Sequence, residues 1–436
     1  MTAPSDPPGH LRNRPPALWP SLLPMSDHGR DDLCVISAAG VRLRFADGHE
    51  RLCATSGLWN VPLGYGNPVI ADAIARTAHD LSYGSAFRYE NAQARAAAEA
   101  LVARCGIDRY HRIIFSTSGG AANDLVIKLA RHYQVLRGHD RRKIVVALTG
   151  SYHGLTFGGF ALTGEPLGHQ LYGVDQRLIR HVDPCDATAF TALMERIGAQ
   201  VAAVVVEPVL GSGTVPLPVD LIDAIGRARQ THGFVLVADE VATGFTRTGP
   251  MFASDEWAIP PDVLIMSKAL TNGTCAAAAV AVGPEISAAF TRHAALLVHA
   301  ETQAGTAITA AAILATLTEL DRIDAVATVA DLTPRLEHAL DEVVTDVGAV
   351  VARIGRGAFQ SLRMVDATGA PLPQANVPDV VAAVRDEGVV VHPGLHGVQL
   401  VPAYGFSASE LAELTTALTR GLTRWADEQR CAEVAS

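Results

Sequence analysis

Short apolar runs that end in polar or charged residues recur through the middle of the chain. Each is too short for a typical helix and lacks alternation, which is typical of a strand buried on both faces of a parallel sheet. Residues 218–231 have the pattern of a helix that crosses back from one strand to the next. This alternation predicts an α/β fold with right-handed crossovers. The runs are residues 143–148, 202–206, 234–238, 263–266 and 276–282.

The two ends of the chain show different patterns. Residues 41–45 alternate between apolar and polar positions and are followed by an Asp47-Gly48 turn and residues 50–53, which predicts a hairpin. Beyond Asp321 the periodicity of apolar residues changes and indicates a smaller α+β unit. Its predicted helices are at 334–347, 378–387 and 408–427, and its predicted strands are at 350–354, 361–364, 389–392 and 398–401. We therefore predict a Pro-rich extended arm at 1–30, an N-terminal segment of a small domain at 31–75, a large domain at 76–320 and the rest of the small domain at 321–436.

Two of the predicted strands end in residues whose side chains have complementary chemistry. Asp239 and Glu240 end one strand, and Ser267 and Lys268 end the next. Ligands of open α/β sheets bind beyond such strand ends. A lysine can form a Schiff base with pyridoxal phosphate, and a carboxylate can keep the pyridine nitrogen protonated. Taken singly, a buried hydrogen-bonded Asp and a surface Lys would be the better interpretation of these positions, because structural ion pairs are common.

Residues 112–123 indicate an anion site. A strand at 112–116 leads into the small residues Thr117-Ser118-Gly119-Gly120 and then into a helix. Backbone N–H groups and the positive end of the helix dipole would point at the same place. Many ordinary turns share this composition, so the pattern alone is weak.

The quoted strand ends carry a family resemblance. The block Asp-Glu-Val-Ala-Thr-Gly-Phe-Thr-Arg-Thr-Gly at 239–249 and Ser-Lys-Ala-Leu at 267–270 resemble the class III aminotransferases, within fold type I of the pyridoxal-phosphate enzymes. The resemblance extends from about residue 41 onward. It implies a large domain with a mostly parallel sheet between helices, and a smaller α+β domain built from the N- and C-terminal segments. It also implies ping-pong transfer of an amino group from a donor amine to a carbonyl acceptor.

The resemblance assigns roles to individual residues. Lys268 would hold the cofactor and move the proton, and Asp239 would hold the ring nitrogen. Thr302 would reach the phosphate in a partner subunit, which implies a homodimer with shared sites. The other implied contacts are Ser118, Gly119 and Gly120 with the phosphate, Tyr152 (supported by His153) and Val241 with the two ring faces, Glu207 with the site wall, and Trp59 with the substrate. A packed aromatic at Trp59, a structural histidine at His153 and a helix-capping Thr302 are the alternatives.

Four positions depart from the family pattern. Gly120 replaces a Ser or Thr, Ala121 a Glu and Ala242 a Gln, and each lost hydrogen bond would weaken cofactor binding by about 0.5–1.5 kcal/mol. Gln399 stands where the family has an arginine that binds a substrate carboxylate, and a neutral amide cannot replace that pair. We therefore predict a main substrate without a free α-carboxylate: an amine, an aldehyde or a modified peptide terminus. With a modified peptide terminus as substrate, the chain would be similar to the peptide-tailoring aminotransferases of daptide-type natural-product biosynthesis.

Other functions remain open at this point. A decarboxylase or racemase on the same fold would use the same lysine and aspartate, and a non-catalytic partner protein could retain the fold while binding cofactor weakly. The net charge of −10 and the absence of a dense Lys/Arg cluster argue against nucleic acid as a partner. The six cysteines form no metal or disulfide pattern. With no signal peptide and no long apolar run, we expect a cytoplasmic protein without a metal and without membrane contact.

Overall fold

The computed structural model describes residues 16–435, with the backbone alone described for residues 432–435. Half of the predicted arm, residues 1–15, lies outside the described residues. Residues 16–30 include one turn of 3₁₀ helix at Met25–Asp27. Within residues 16–435, no helix is both long and apolar enough to span a membrane. The same residues contain no group of three or more His, Cys, Asp or Glu side chains placed to bind a metal ion.

The strands are short, and most coincide with the apolar or alternating runs of the sequence. In chain order they are β1 (Val35–Ala39), β2 (Arg42–Phe45), β3 (Glu50–Cys53), β4 (Arg112–Ser116), β5 (Ile144–Leu148), β6 (Ile179–Val182), β7 (Val201–Val206), β8 (Val209–Leu210), β9 (Val215–Pro216), β10 (Val235–Asp239), β11 (Val263–Met266), β12 (Ala278–Val282), β13 (Val350–Arg356), β14 (Phe359–Met364), β15 (Val389–Val390), β16 (His392–Gly394) and β17 (Gly397–Leu400).

The helices alternate with the central strands and cluster again near the C-terminus. They are α1 (Ser56–Trp59), α2 (Pro68–Asp80), α3 (Ala92–Cys105), α4 (Gly119–Leu136), α5 (Phe157–Leu162), α6 (Ala187–Ile197), α7 (Val219–His232), α8 (Pro284–Arg292), α9 (Ala307–Arg322), α10 (Ala325–Asp346), α11 (Val377–Asp386) and α12 (Ala408–Ala435). The predicted domain boundaries at 75/76 and 320/321 fall within α2 and α9, and they stay predictions.

The largest sheet confirms the predicted α/β class. Its seven strands lie in the order β4-β12-β11-β10-β7-β5-β6. The pairs β11–β10, β10–β7, β7–β5 and β5–β6 are parallel, and β12 alone runs against its two neighbours. The strands β5, β7, β10 and β11 are buried along their whole length, because helices cover both faces. Their carboxyl ends therefore meet at one edge.

The smaller sheets join the two ends of the chain. Strands β1, β2 and β3 form a meander that β15 extends by pairing in parallel with β3. Strands β13, β14, β17 and β16 form a separate antiparallel sheet. N- and C-terminal segments thus share one sheet, as the resemblance implied.

One predicted helix begins in a different place. The sequence pattern predicted a helix around residues 334–347. The helix α10 instead begins at Ala325 and contains Pro334 in its interior. Val329 and Leu332 are fully buried before the proline and Leu336 after it, so burial of one continuous apolar face outweighs the hydrogen bond that proline removes.

Candidate active site

Asp239 and Lys268 leave the same edge of the main sheet. Asp239 ends β10, where it pairs with Ile265 of the neighbouring parallel strand β11. Lys268 follows β11 after one residue and takes a left-handed φ of 46°. Burial lowers the pKa of Lys268, and the charges of Asp239 and Glu207 oppose this shift without reversing it. The structure therefore brings together the predicted lysine and two predicted carboxylates.

The Asp239 carboxylate is buried and held by three donors. Its Oδ2 atom accepts hydrogen bonds from Asn123 Nδ2 and from His153 Nδ1, each at 2.8 Å, and Oδ1 accepts from the Val241 backbone N–H at 3.2 Å. The same Asn123 Nδ2 also donates to the Gly119 carbonyl at 3.1 Å. These bonds fix the carboxylate in one orientation at the strand end.

His153 is fully enclosed and bonded on one side only. Burial alone would lower its pKa, but the hydrogen bond and the charge of Asp239 raise the pKa above the ordinary histidine value. Its backbone N–H donates to Thr163 Oγ1 at 2.9 Å, which holds the residue in place. Its buried Nε2 has no hydrogen-bond partner among the described residues.

The predicted phosphate site lies at the first turn of α4. Ser118 caps this helix by accepting the Ala121 N–H at 3.2 Å, so the departure at Ala121 keeps a backbone role. A Cβ atom on Gly119 would lie 3.1 Å from the Val241 side chain, and one on Gly120 would lie 3.3 Å from Thr156 Oγ1. The first N–H groups of a helix have no partner within it. The two glycines therefore leave this positive end open.

Tyr152 and Glu207 form the opposite wall of the site. Glu207 accepts the Tyr152 N–H at 2.8 Å through Oε2 and the Gly211 N–H at 2.9 Å through Oε1. Burial raises the pKa of Glu207 to about 7 and also raises the pKa of Tyr152. The carboxyl group thus connects the loop that carries Tyr152 with the segment at Gly211.

Trp59 lies over the lysine. Its ring centroid is 4.5 Å from Lys268 Nζ, 5.1 Å from the Phe359 ring and 5.2 Å from the His392 ring. Trp59 takes a positive φ of 65°, a strained conformation for a bulky residue. The predicted substrate-facing tryptophan and the predicted lysine are therefore in direct contact.

Gln399 is almost completely buried, and both ends of its amide are engaged. Its Nε2 donates to the Gly211 carbonyl at 2.6 Å, and its Oε1 lies 3.1 Å from His392 Nδ1. These two partners lie on different segments, the loop after β8 and strand β16. Gln399 therefore connects these two segments of the site wall through hydrogen bonds.

The departure at Ala242 belongs to an apolar cluster. Ala242 is buried with Val209, Phe359 and Val401, and Trp59 packs against them. A glutamine here would place an amide among these side chains. The wall next to Trp59 is consequently apolar.

Thr302 is exposed, and its carbonyl accepts a hydrogen bond from the Tyr83 hydroxyl at 3.0 Å. Its side chain makes no hydrogen bond within residues 16–435. The preceding Glu301 binds the end of β4, accepting Ser116 Oγ at 2.5 Å and the Thr117 N–H at 3.0 Å. This fixes the loop that carries Thr302 next to the phosphate site.

Sequence reasoning missed Asn123 and His392 as site residues. Asn123 lies one helical turn after Gly119 and is a buried polar residue among apolar positions, a pattern that was visible in the sequence. His392 had no such signal, because its partners Gln399 and Trp59 come from a strand pairing and from the other end of the chain.

These residues fit pyridoxal phosphate. The site offers a neutralisable lysine, a fixed buried carboxylate for a ring nitrogen, and an open helix end for a phosphate. The His153 Nε2 atom is a further buried polar group at this site without a partner among the described residues.

The fold and this strand-end site define a fold type I pyridoxal-phosphate enzyme of the aminotransferase class. The family described as aminotransferase class-III matches residues 25–422, and the chain belongs to this family. Enzymes of this family depend on pyridoxal phosphate, and the chain is an enzyme of this kind.

Curated relatives and solved structures agree with this assignment. The acetylornithine aminotransferase of Mycolicibacterium smegmatis is 31% identical over 415 residues, covering 94% of this chain and 98% of the relative. The omega-aminotransferase of Caulobacter vibrioides is 31% identical over 400 residues, covering 86% and 90%. The crystal structure of an amine transaminase from an uncultivated Pseudomonas species superimposes with a TM-score of 0.87 at 27% identity, covering 95% of this chain and all of that one.

Proposed function

We propose that this aminotransferase acts on a main substrate that has no free α-carboxylate at the reacting carbon. The observation that carries this proposal is Gln399: it stands at the position of the family's carboxylate-binding arginine, and both ends of its amide are already bonded to Gly211 and His392. The apolar cluster beside Trp59 supports the same conclusion, because a carboxylate there would lose its hydration without gaining a charged partner.

The names of the relatives do not decide the substrate. One relative is named for acetylornithine and another for omega-aminotransfer, and both are equally similar to this chain. An amine, an aldehyde or a modified peptide terminus would each satisfy the Gln399 argument. Peptide natural-product biosynthesis is one setting in which such termini arise.

The chain's own residues have the following roles in this proposal. Pyridoxal phosphate, when bound, supplies an electron sink for the bond that loses its proton. Lys268 Nζ takes the proton from the amine-bearing carbon, and burial favours the neutral amine that this step needs. Asp239 would hold the protonated ring nitrogen, with Asn123 and His153 fixing its orientation.

The phosphate and the ring would be held by separate elements. Ser118, Gly119 and Gly120 would bind the phosphate at the start of α4, and Tyr152 and Val241 would cover the ring. Thr302 of the partner subunit would complete the phosphate site. This role of Thr302 requires a homodimer with shared active sites, which belongs to the same proposal. The predicted cytoplasmic location stays a prediction.

A matched set of donors tests the substrate proposal. Alanine, alaninamide, alaninol and 2-aminobutane share one amine-bearing carbon and differ in the group beside it. In reactions with the loaded wild-type enzyme, we expect the three donors that lack a carboxylate to have higher kcat/KM values than alanine. Alanine as the best donor would contradict the proposal.

Two variants at position 399 sharpen this test. Gln399→Arg restores a carboxylate partner, so we expect it to raise the kcat/KM ratio of alanine to 2-aminobutane by tenfold or more, since charge-assisted bidentate pairs are about twice as strong as neutral hydrogen bonds. Gln399→Leu is the matched control, because it removes the amide without adding a charge. An equal ratio in both variants would mean that position 399 does not face the carboxylate.

A further inference from the structure

His392 occupies a distinctive place in the candidate site. It is the register partner of Gln399 across strands β16 and β17, and its ring lies 5.2 Å from the ring of Trp59. Trp59 in turn contacts Lys268 Nζ. His392 therefore lies beside the reacting lysine, on the wall where the family's arginine would reach.

The neighbours of Nδ1 fix the tautomer of His392. Nδ1 lies 2.7 Å from the Pro393 carbonyl oxygen and 3.1 Å from Gln399 Oε1. The amide of Gln399 is oriented by its other end, since Nε2 donates to the Gly211 carbonyl. Both neighbours of Nδ1 are thus acceptors, so Nδ1 carries the hydrogen, and in the neutral ring Nε2 carries the lone pair.

The charge state of His392 follows from its surroundings. Burial lowers its pKa, and the nearby charge of Lys268 lowers it further, while the hydrogen bonds to Pro393 and Gln399 oppose the shift. The imidazole is therefore neutral at neutral pH. Its Nε2 makes no hydrogen bond within residues 16–435, so one acceptor is left unused on this wall.

We propose that His392 is a specificity-determining residue whose Nε2 accepts a hydrogen bond from an uncharged donor group, a hydroxyl or an amide N–H, on the substrate. Gln399 is then a positioning residue that holds the Nδ1–H tautomer. This inference rests on the proposed function and narrows its substrate class. It explains why the arginine's position holds a bonded glutamine: the residue that contacts the substrate is the histidine next to it.

The neutral His392 ring, held by Gln399, accounts for selectivity against a carboxylate and also against an alkyl group. A neutral Nε2 lone pair attracts an O–H or N–H group and repels a carboxylate oxygen, which brings lone pairs of its own. An alkyl group of the same size leaves Nε2 without a partner in a largely dry site, which costs the free energy of an unmade hydrogen bond. Of the four donors above, alaninol and alaninamide provide a donor group, whereas 2-aminobutane has a methyl group where alaninol has its hydroxyl.

The experiment compares these donors in the loaded wild-type enzyme and in His392→Phe. Phenylalanine preserves an aromatic ring against Trp59 and removes the acceptor. In the wild-type enzyme we expect kcat/KM for alaninol to exceed that for 2-aminobutane by about tenfold, the upper range of a neutral hydrogen bond. In His392→Phe the ratio should fall to about one. The relative rate of alaninamide shows whether an amide N–H serves as well as a hydroxyl.

A binding measurement removes the dependence on turnover. Isothermal calorimetry with 1-propanol and with dissolved n-butane, the counterparts of alaninol and 2-aminobutane without the amine, would compare the same two end groups without reaction. We expect a lower Kd for the alcohol in the wild-type enzyme and equal Kd values in His392→Phe. His396→Asn is the matched control, because His396 lies in the adjoining turn, bonds the Leu372 carbonyl instead and has a positive φ that Asn tolerates.

The outcomes separate the two proposals. Suppose the wild-type enzyme converts amines without a carboxylate but shows equal kcat/KM values for alaninol and 2-aminobutane. The role of His392 is then overturned while the proposed function stands. If alanine is the best donor, the proposed function itself fails. A wild-type ratio that persists in His392→Phe also overturns the inference, and His392→Leu provides a second variant if His392→Phe does not fold.

Discussion

Asn123 shows how one side chain can tune the site. Its amide joins the Asp239 carboxylate to the first turn of α4, the two groups that would hold opposite ends of the cofactor. Removing this donor leaves the Asp239 carboxylate less firmly oriented at the strand end and weakens its hold on a ring nitrogen. We expect Asn123→Ala to raise the Kd for pyridoxal phosphate by about tenfold. An absorbance titration of apoenzyme measures this Kd.

The control for this titration is Asn376→Ala, because Asn376 makes no capping hydrogen bond at the start of α11. Its Kd should equal that of the wild-type enzyme. If Asn123→Ala also left the Kd unchanged, Asp239 would not be the group that binds the ring nitrogen.

Glu207 gives the stability of the protein a specific pH dependence. Its folded-state pKa of about 7 lies above the ordinary value of 4.5 because the group is buried. The stabilisation from its protonated form is fully present below pH 4.5 and is lost as the pH rises through 7. We expect the free energy of unfolding to fall by up to about 3 kcal/mol over this window. Urea unfolding at pH 5.5 and pH 8 should show a smaller difference in Glu207→Gln, and an equal difference would contradict the assignment.

For single residues, the sequence predicted the positions of side chains that directly follow a buried strand. Asp239 and Lys268 were predictable because apolar runs fix where a buried strand ends. His392 was not, because its position depends on the β16–β17 register and on Trp59, which is distant in the sequence. The hydrogen bonds of Gln399 were equally hidden, although the missing arginine was visible.

Among the elements, the loop from Gly150 to Gly154 packs tightly against α4. A Cβ atom on Gly154 would lie 2.4 Å from Gly120 Cα, and Gly154 has a φ of 105°. We expect Gly154→Ala to displace the loop that carries Tyr152 and His153, and to destabilise the fold by roughly 1–3 kcal/mol. The cofactor Kd should rise with it, as measured by the same absorbance titration.

Gly150→Ala is a matched control in the same loop. Gly150 also has a positive φ, 74°, but its nearest neighbour atom would lie 4.0 Å from an added Cβ. The control therefore carries the backbone strain without the clash, and it should retain cofactor binding. Equal losses in both variants would show that strain, and not contact with α4, limits the loop.

Element boundaries show where sequence patterns are informative. The buried strand β11 and the strand β4 were predicted at their observed bounds, because an unbroken apolar run has few other solutions. The start of α10 was predicted wrongly: the helix was expected from about residue 334 but begins at Ala325, because its buried apolar face continues on both sides of Pro334. The two-residue strands β8 and β9 are too short to produce a pattern.

For the whole molecule, the dimer is the central expectation. Two loops lie side by side through the hydrogen bonds from Tyr83 to Thr302 and from Ala86 N–H to the Ala304 carbonyl. Near them Tyr89, Leu296 and Val298 are 82%, 79% and 80% exposed, unusually high for apolar side chains that lie in neighbouring segments. We expect light scattering to give a mass twice that of one chain.

The variant Val298→Asp places a charge on this surface. It should shift the enzyme toward the monomer and weaken cofactor binding, since the partner's Thr302 would no longer reach the phosphate. Val219→Asp is the control, because Val219 is also exposed but begins α7, where an acidic residue is favourable. A monomeric wild-type enzyme with full cofactor affinity would contradict the shared site.

The central claim is that Lys268 forms the covalent bond to the cofactor. The site of attachment can be identified directly, because Lys128, Lys143 and Lys268 are the only lysines in the sequence. Borohydride reduction of the enzyme loaded with pyridoxal phosphate, followed by peptide mass spectrometry, would identify the attached residue. We predict that the added mass is found on Lys268 and is lost in Lys268→Ala. Attachment at Lys128 or Lys143 alone, or no attachment at saturating cofactor, would contradict the account.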